Sequence, residues 1–126
     1  MPTVLVVDDE FGILQVLAEI LLESNYQVLT AINGRQALER ALANPVDVVL
    51  TDYMMPTLDG AGLIRAMAAE ESLRSIPVVV MSSFPPADIN SALNGLQFFL
   101  RKPFRANALL EVIATALNAA QHQSGH

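Results

Sequence analysis

A chain of 126 residues has room for one ordinary domain and one core, and a composition 52% hydrophobic and 16% charged suits a compact fold rather than disorder. Its formal charge of −6 opposes binding to nucleic acid or to an anionic membrane surface. Cysteine is absent, which excludes a disulfide framework, a thiol nucleophile and a Cys-based zinc site.

The first apolar strand is predicted at Thr3–Val7, preceded by no basic flank and no cleavage-like segment. An apolar helix stripe follows in Ile13, Leu14, Leu17, Ile20 and Leu21, with Gln15, Glu19 and Glu23 on the other face. A strand is expected at Tyr26–Thr30. A turn at Asn33-Gly34 then leads into a helix carrying Ala37, Leu38, Ala41 and Leu42. The third strand is expected at Val46–Leu50, and the next helix presents Leu63, Ile64, Met67 and Ala68 after Asp59-Gly60.

Pro77–Met81 reads as a fourth strand, followed by a short helix over 87–94 that Pro85-Pro86 opens. Leu96–Leu100 is the fifth strand. The last helix carries Leu109, Leu110, Ile113, Ala116 and Leu117. Strands one, three and four are almost continuously apolar, as strands covered on both faces are. The pattern is βα five times over. It predicts an α/β, doubly wound, five-stranded parallel sheet of flavodoxin-like order 2-1-3-4-5. One domain over 1–120 with a flexible tail over 121–126 is expected. No apolar run approaches the roughly 18 residues that span a bilayer, so the reading is soluble and cytoplasmic.

In such sheets ligands bind beyond the carboxyl ends of the strands, where the strand order reverses. Asp8, Asp9 and Glu10 follow strand one, Asp52 follows strand three, Ser82 and Ser83 follow strand four, and Lys102 follows strand five. With strands one and three adjacent, Asp8, Asp9 and Asp52 would meet. Clustered carboxylates repel unless a cation sits among them, and an oxygen-only ligand set favours Mg²⁺. A divalent ion and Lys102 together match the charge of the three carboxylates. A carboxylate is also a competent nucleophile for phosphoryl transfer, and the Ser82 hydroxyl can donate to a phosphoryl oxygen.

Val6-Val-Asp-Asp-Glu10, Thr51-Asp-Tyr-Met-Met-Pro-Thr-Leu-Asp-Gly60, Pro77-Val-Val-Val-Met-Ser82 and Arg101-Lys-Pro-Phe104 resemble the receiver domain of bacterial two-component response regulators. The resemblance covers nearly the whole chain, with four blocks in order at the expected strand ends. It implies a phosphoacceptor at Asp52, Mg²⁺ bound directly by Asp9, Asp52 and the main-chain carbonyl of Met54, and Asp8 acting mostly through water. It further implies a switch hydroxyl at Ser82, a phosphoryl-contacting cation at Lys102, a switch aromatic at Phe99 and a cis Lys102–Pro103 peptide.

The implied partners are a sensor histidine kinase or histidine phosphotransfer protein as donor, and an effector protein. Neither nucleic acid nor membrane is contacted directly, and there is room for a homodimer formed on phosphorylation. The implied activity is signalling rather than turnover of an external substrate.

Three departures from the family pattern stand out. Phe99 lacks the hydroxyl often found at its position, the stretch between Ser82 and Lys102 is shorter than usual, and Met54 and Phe84 are bulky apolar residues where water reaches the phosphoryl group. The last predicts a long-lived phosphorylated state.

Blander roles fit several neighbours. Glu10 suits the first turn of a helix and Asp59 a cap and turn, Ser83 is an ordinary strand-end residue, and His122 and His126 lie in a polar tail. Two other functions compete. A Mg²⁺-dependent phosphatase of the haloacid dehalogenase type wants Asp-x-Asp after its first strand and a cap, and Asp52-Tyr-Met lacks the second Asp. A pseudo-receiver scaffold is disfavoured by the intact Asp8, Asp9, Asp52 and Lys102 set, and a flavodoxin-like nucleotide binder by the missing Gly-rich loop.

Overall fold

The computed structural model describes residues 1–53, 60–83 and 97–124. In chain order these form β1 (Thr3–Val7), α1 (Phe11–Glu23), β2 (Gln27–Ala31), α2 (Gly34–Ala43), β3 (Val48–Asp52), α3 (Gly60–Ala69), β4 (Val78–Ser82), β5 (Gln97–Arg101) and α4 (Ala106–Ser124). The five strands pair in parallel in the order β2-β1-β3-β4-β5. Fold class and strand order are as expected. The short helix expected over 87–94 lies outside the described residues.

Strand side chains alternate between faces, so each apolar strand feeds two cores. On one face Val4, Val6, Val48, Leu50, Val79, Met81 and Leu100 meet Leu14, Leu17 and Leu21 of α1 and Leu109, Ile113 and Ala116 of α4. On the other, Leu5, Val7, Val49, Val78 and Val80 meet Ala37 and Ala41 of α2 and Leu63, Ile64 and Met67 of α3. Continuous apolar runs were needed because both faces are covered. Each buried aliphatic side chain contributes about 1.5–3 kcal/mol.

Helix ends account for several boundaries. At the end of α1, Tyr26 N donates to Leu21 O and Asn25 N to Leu22 O, both at 3.1 Å, with Asn25 in the left-handed region at φ 70°. This is a Schellman closure with Asn where Gly is commoner, and Tyr26 packs on the core cluster that holds Leu21. Tyr26 therefore ends a helix rather than starting β2.

Asn33 caps α2, its Oδ1 accepting from Gln36 N at 2.8 Å, while Gln36 Oε1 accepts from Ile32 N at 2.9 Å. The Asn33-Gly34 pair expected as a turn is thus a cap and the first helical residue. Replacing Asn33 by Ala is expected to lower unfolding stability by about 1 kcal/mol in urea denaturation, with the fold unchanged.

Two expectations shift. Leu42 is exposed instead of buried, since the inward row of α2 passes through Ala37 and Ala41. The last helix runs to Ser124, into the segment over 121–126 expected as a tail. Among the described residues no helix is long and apolar enough to cross a membrane.

Candidate functional site

The carboxyl ends of β1, β3, β4 and β5 form one edge. Register places Val7 beside Thr51, Asp52 beside Met81, and Ser82 beside Arg101. Asp52 and Ser82 are the last residues of their strands, and Asp8 and Lys102 are the first residues past theirs.

Asp52 shares strand parity with Leu50, and Lys102 with Leu100, so both belong to the α1/α4 side of the sheet. β4 lies between their strands, so the two side chains and the contact between them must together bridge about two strand spacings, roughly 10 Å. It does so, with Lys102 Nζ 3.2 Å from Asp52 Oδ1. Lys102 N also donates to Ser82 O at 2.9 Å, extending the ladder and fixing the lysine backbone.

One carboxylate oxygen from each of Asp8, Asp9 and Asp52 lies within 4.8 Å of the other two, with Asp8 buried, Asp52 half-buried and Asp9 exposed. Asp8 N turns to Ala31 O at 3.1 Å, and Asp8 Oδ1 accepts from Glu10 N at 2.9 Å. Asp8 Oδ2 is buried without a hydrogen-bond partner. Burial pushes the Asp8 carboxyl up from 3.8 to about 6, against the Glu10 N–H and Lys102, and with the charges of Asp52 and Asp9 adding to the rise.

A buried carboxylate with an orphaned oxygen, beside two further carboxylates, fits a hard divalent cation with oxygen ligands. Two carboxylates within reach of solvent leave coordination positions for water or phosphate oxygens.

Of the residues singled out from sequence, Asp8, Asp9, Asp52 and Lys102 come together. Ser82 ends the neighbouring strand half-buried. Phe99 sits on β5, half-buried, on the face opposite Phe98 and Leu100. Met54, Asp59 and Phe84 lie outside the described residues. Lys102–Pro103 is cis. Glu10 directly precedes α1 with no side-chain cap bond.

Sequence reasoning missed Thr51. Its Oγ1 donates to Asp52 O at 2.9 Å, and Tyr53 N donates to Met81 O at 3.0 Å. The signal available was a hydroxyl residue directly before the strand-terminal Asp.

The family model of the response regulator receiver domain matches residues 4–114. Over 107 residues the chain is 39% identical to the two-component response regulator ORR3 of Oryza sativa subsp. indica, covering 82% of each chain. It is 36% identical over 115 residues to the transcriptional regulatory protein PrrA of Mycobacterium tuberculosis, where 90% of this chain spans 47% of that protein. Among solved structures, the chemotaxis protein CheY4 of Vibrio cholerae superimposes with a TM-score of 0.86 at 28% identity, over 93% of this chain and 99% of that one.

Proposed function

Since the chain belongs to the response regulator receiver family of phosphorelay signalling, we propose that Asp52 is the residue on which it carries the phosphoryl group. The observation that supports this most is the Asp52 carboxylate itself, held at 3.2 Å from Lys102 Nζ and within 4.8 Å of the Asp8 and Asp9 oxygens.

The donor is a phosphohistidine on a sensor histidine kinase or a histidine phosphotransfer protein. An Asp52 oxygen attacks phosphorus as the P–N bond breaks. The electron pair of that bond stays on the imidazole nitrogen, and Asp52 becomes an acyl phosphate. Lys102 and the Ser82 hydroxyl bind phosphoryl oxygens and hold them in line.

Asp9 and Asp52 would hold Mg²⁺ directly and Asp8 mostly through water. When bound, Mg²⁺ supplies positive charge that offsets the carboxylates and the transferred phosphoryl oxygens.

The acyl phosphate then shifts a two-state equilibrium, because one arrangement of Ser82 and its loop bonds the phosphoryl oxygens and the other does not. Phe99, without a hydroxyl, follows by packing alone. An effector protein reads the altered surface.

Intact mass after incubation with a small acyl-phosphate donor and Mg²⁺ tests the reading. One phosphoryl adduct is expected, and hydroxylamine is expected to remove it, as it does an acyl phosphate. An adduct that survives hydroxylamine would place the group on a hydroxyl and overturn the assignment.

A further inference from the structure

β3 ends at Asp52, and the peptide group that joins Asp52 to Tyr53 is where the chain leaves the sheet. Its N–H is fixed from the β4 side by Met81 O. Its carbonyl faces away from β4, toward β1. There Asp8 N, the first N–H past β1, points to the other side and donates to Ala31 O. Thr51 Oγ1 instead reaches the Asp52 carbonyl, at 2.9 Å. Thr51 is fully buried, and by strand parity with Val49 its side chain belongs to the α2/α3 side of the sheet, opposite Asp52.

We propose that Thr51 is a positioning residue, its buried hydroxyl locking the peptide after Asp52 and so setting the direction in which the Asp52 carboxylate leaves the strand. The proposal rests on Asp52 being the phosphoacceptor.

A peptide held at both its N–H and its C=O fixes ψ of Asp52. A side chain on a fixed backbone keeps its carboxylate against Lys102 Nζ without paying for alignment at each encounter with the donor. Thr51 lies on the face of the sheet opposite the Asp52 side chain, so its contribution reaches the reaction through the Asp52 peptide.

The test compares wild type with Thr51→Val and Thr51→Ser, following the rate of acyl-phosphate formation at saturating small donor and Mg²⁺. Thr51→Val keeps the buried shape and removes the hydroxyl. It is expected to lower the saturating rate about fivefold, the size of one neutral hydrogen bond of about 1 kcal/mol. Thr51→Ser keeps the hydroxyl and loses a methyl, and is expected to react within about twofold of wild type despite some loss of unfolding stability. Thr51→Ala, measured alongside, is expected to be as slow as Thr51→Val and serves if the valine variant fails to fold.

A merely structural role would rank the variants by stability, with serine below valine, and rates that followed that order would overturn the proposal. So would hydroxyl-free variants reacting like wild type. Should wild type form no adduct at all, the Asp52 assignment itself falls and Thr51 with it. A reactive wild type with an equally reactive valine variant removes only the role of Thr51.

Discussion

Asp52→Asn is expected to form no phosphoryl adduct under conditions in which wild type is fully converted. The amide keeps the shape of the carboxylate but not its negative charge, and a neutral amide oxygen is a poor nucleophile toward phosphorus. Lys102 Nζ, now 3.2 Å from Asp52 Oδ1, would face an uncharged oxygen and lose its ion pair.

The fold should survive the change, because Asp52 is the half-buried last residue of β3 while the β3 core residues Val48, Val49 and Leu50 are untouched. Intact mass with and without a chelator separates two causes of failure. In wild type, chelation should also prevent the adduct, since three carboxylates without a cation repel the incoming phosphoryl oxygens. Returning Mg²⁺ should restore wild type and leave Asp52→Asn inert. An adduct on Asp52→Asn that resists hydroxylamine would point to a hydroxyl such as that of Ser82.

Most of this architecture could be read from where apolar runs stop. Val4 to Val7 and Val48 to Leu50 are apolar at every position, which only strands covered on both faces require, and both faces are covered. Polar residues directly after such runs have to lie on the ligand-binding edge, so Asp8, Asp9, Asp52, Ser82 and Lys102 were legible as a group.

Strand limits were less so, because pairing rather than apolarity decides them. Val46 is buried among the α2/α3 residues yet precedes β3, as Asp47 Oδ2 bonds Thr3 N at 2.7 Å and Asp47 N bonds Thr3 O at 2.9 Å. Asp52 and Ser82, read as residues after a strand, are its last paired members. Thr51 gave only a weak signal, since a β-branched residue in a strand is ordinary and the direction of its hydroxyl is what informs. The depth of Asp8 was likewise hidden. Adjacent acidic residues look alike in sequence, but Asp8 is fully buried and Asp9 exposed, because the chain turns out of the sheet between them.

That burial gives the second large effect. Folding raises the Asp8 pKa from 3.8 to about 6, so between these values the folded state holds a proton that the unfolded chain releases. The Asp8 contribution to the stability of the metal-free protein therefore falls as pH rises through this window, and it is constant above it. The conversion of 1.36 kcal/mol per pKa unit sets the cost of the buried charge at about 3 kcal/mol.

Asp8→Asn places a neutral group of the same shape there. Its oxygen can keep the bond from Glu10 N, and its amide N–H₂ can donate to the Asp9 or Asp52 carboxylate where Asp8 Oδ2 had no partner. With a chelator present, Asp8→Asn is expected to exceed wild type in unfolding stability by about 2–3 kcal/mol at pH 8, and to match it near pH 4. Titrating groups remote from Asp8 cancel in that difference, because both proteins carry them.

Mg²⁺ should reverse the order at pH 8 by stabilising the form that offers it three charges instead of two. Urea unfolding of both proteins at the two pH values, with chelator and then with Mg²⁺, makes the comparison. An Asp8→Asn protein less stable than wild type at pH 8 in chelator would show that the Asp8 charge is already compensated within the chain, leaving a cation with less to neutralise at this edge of the sheet.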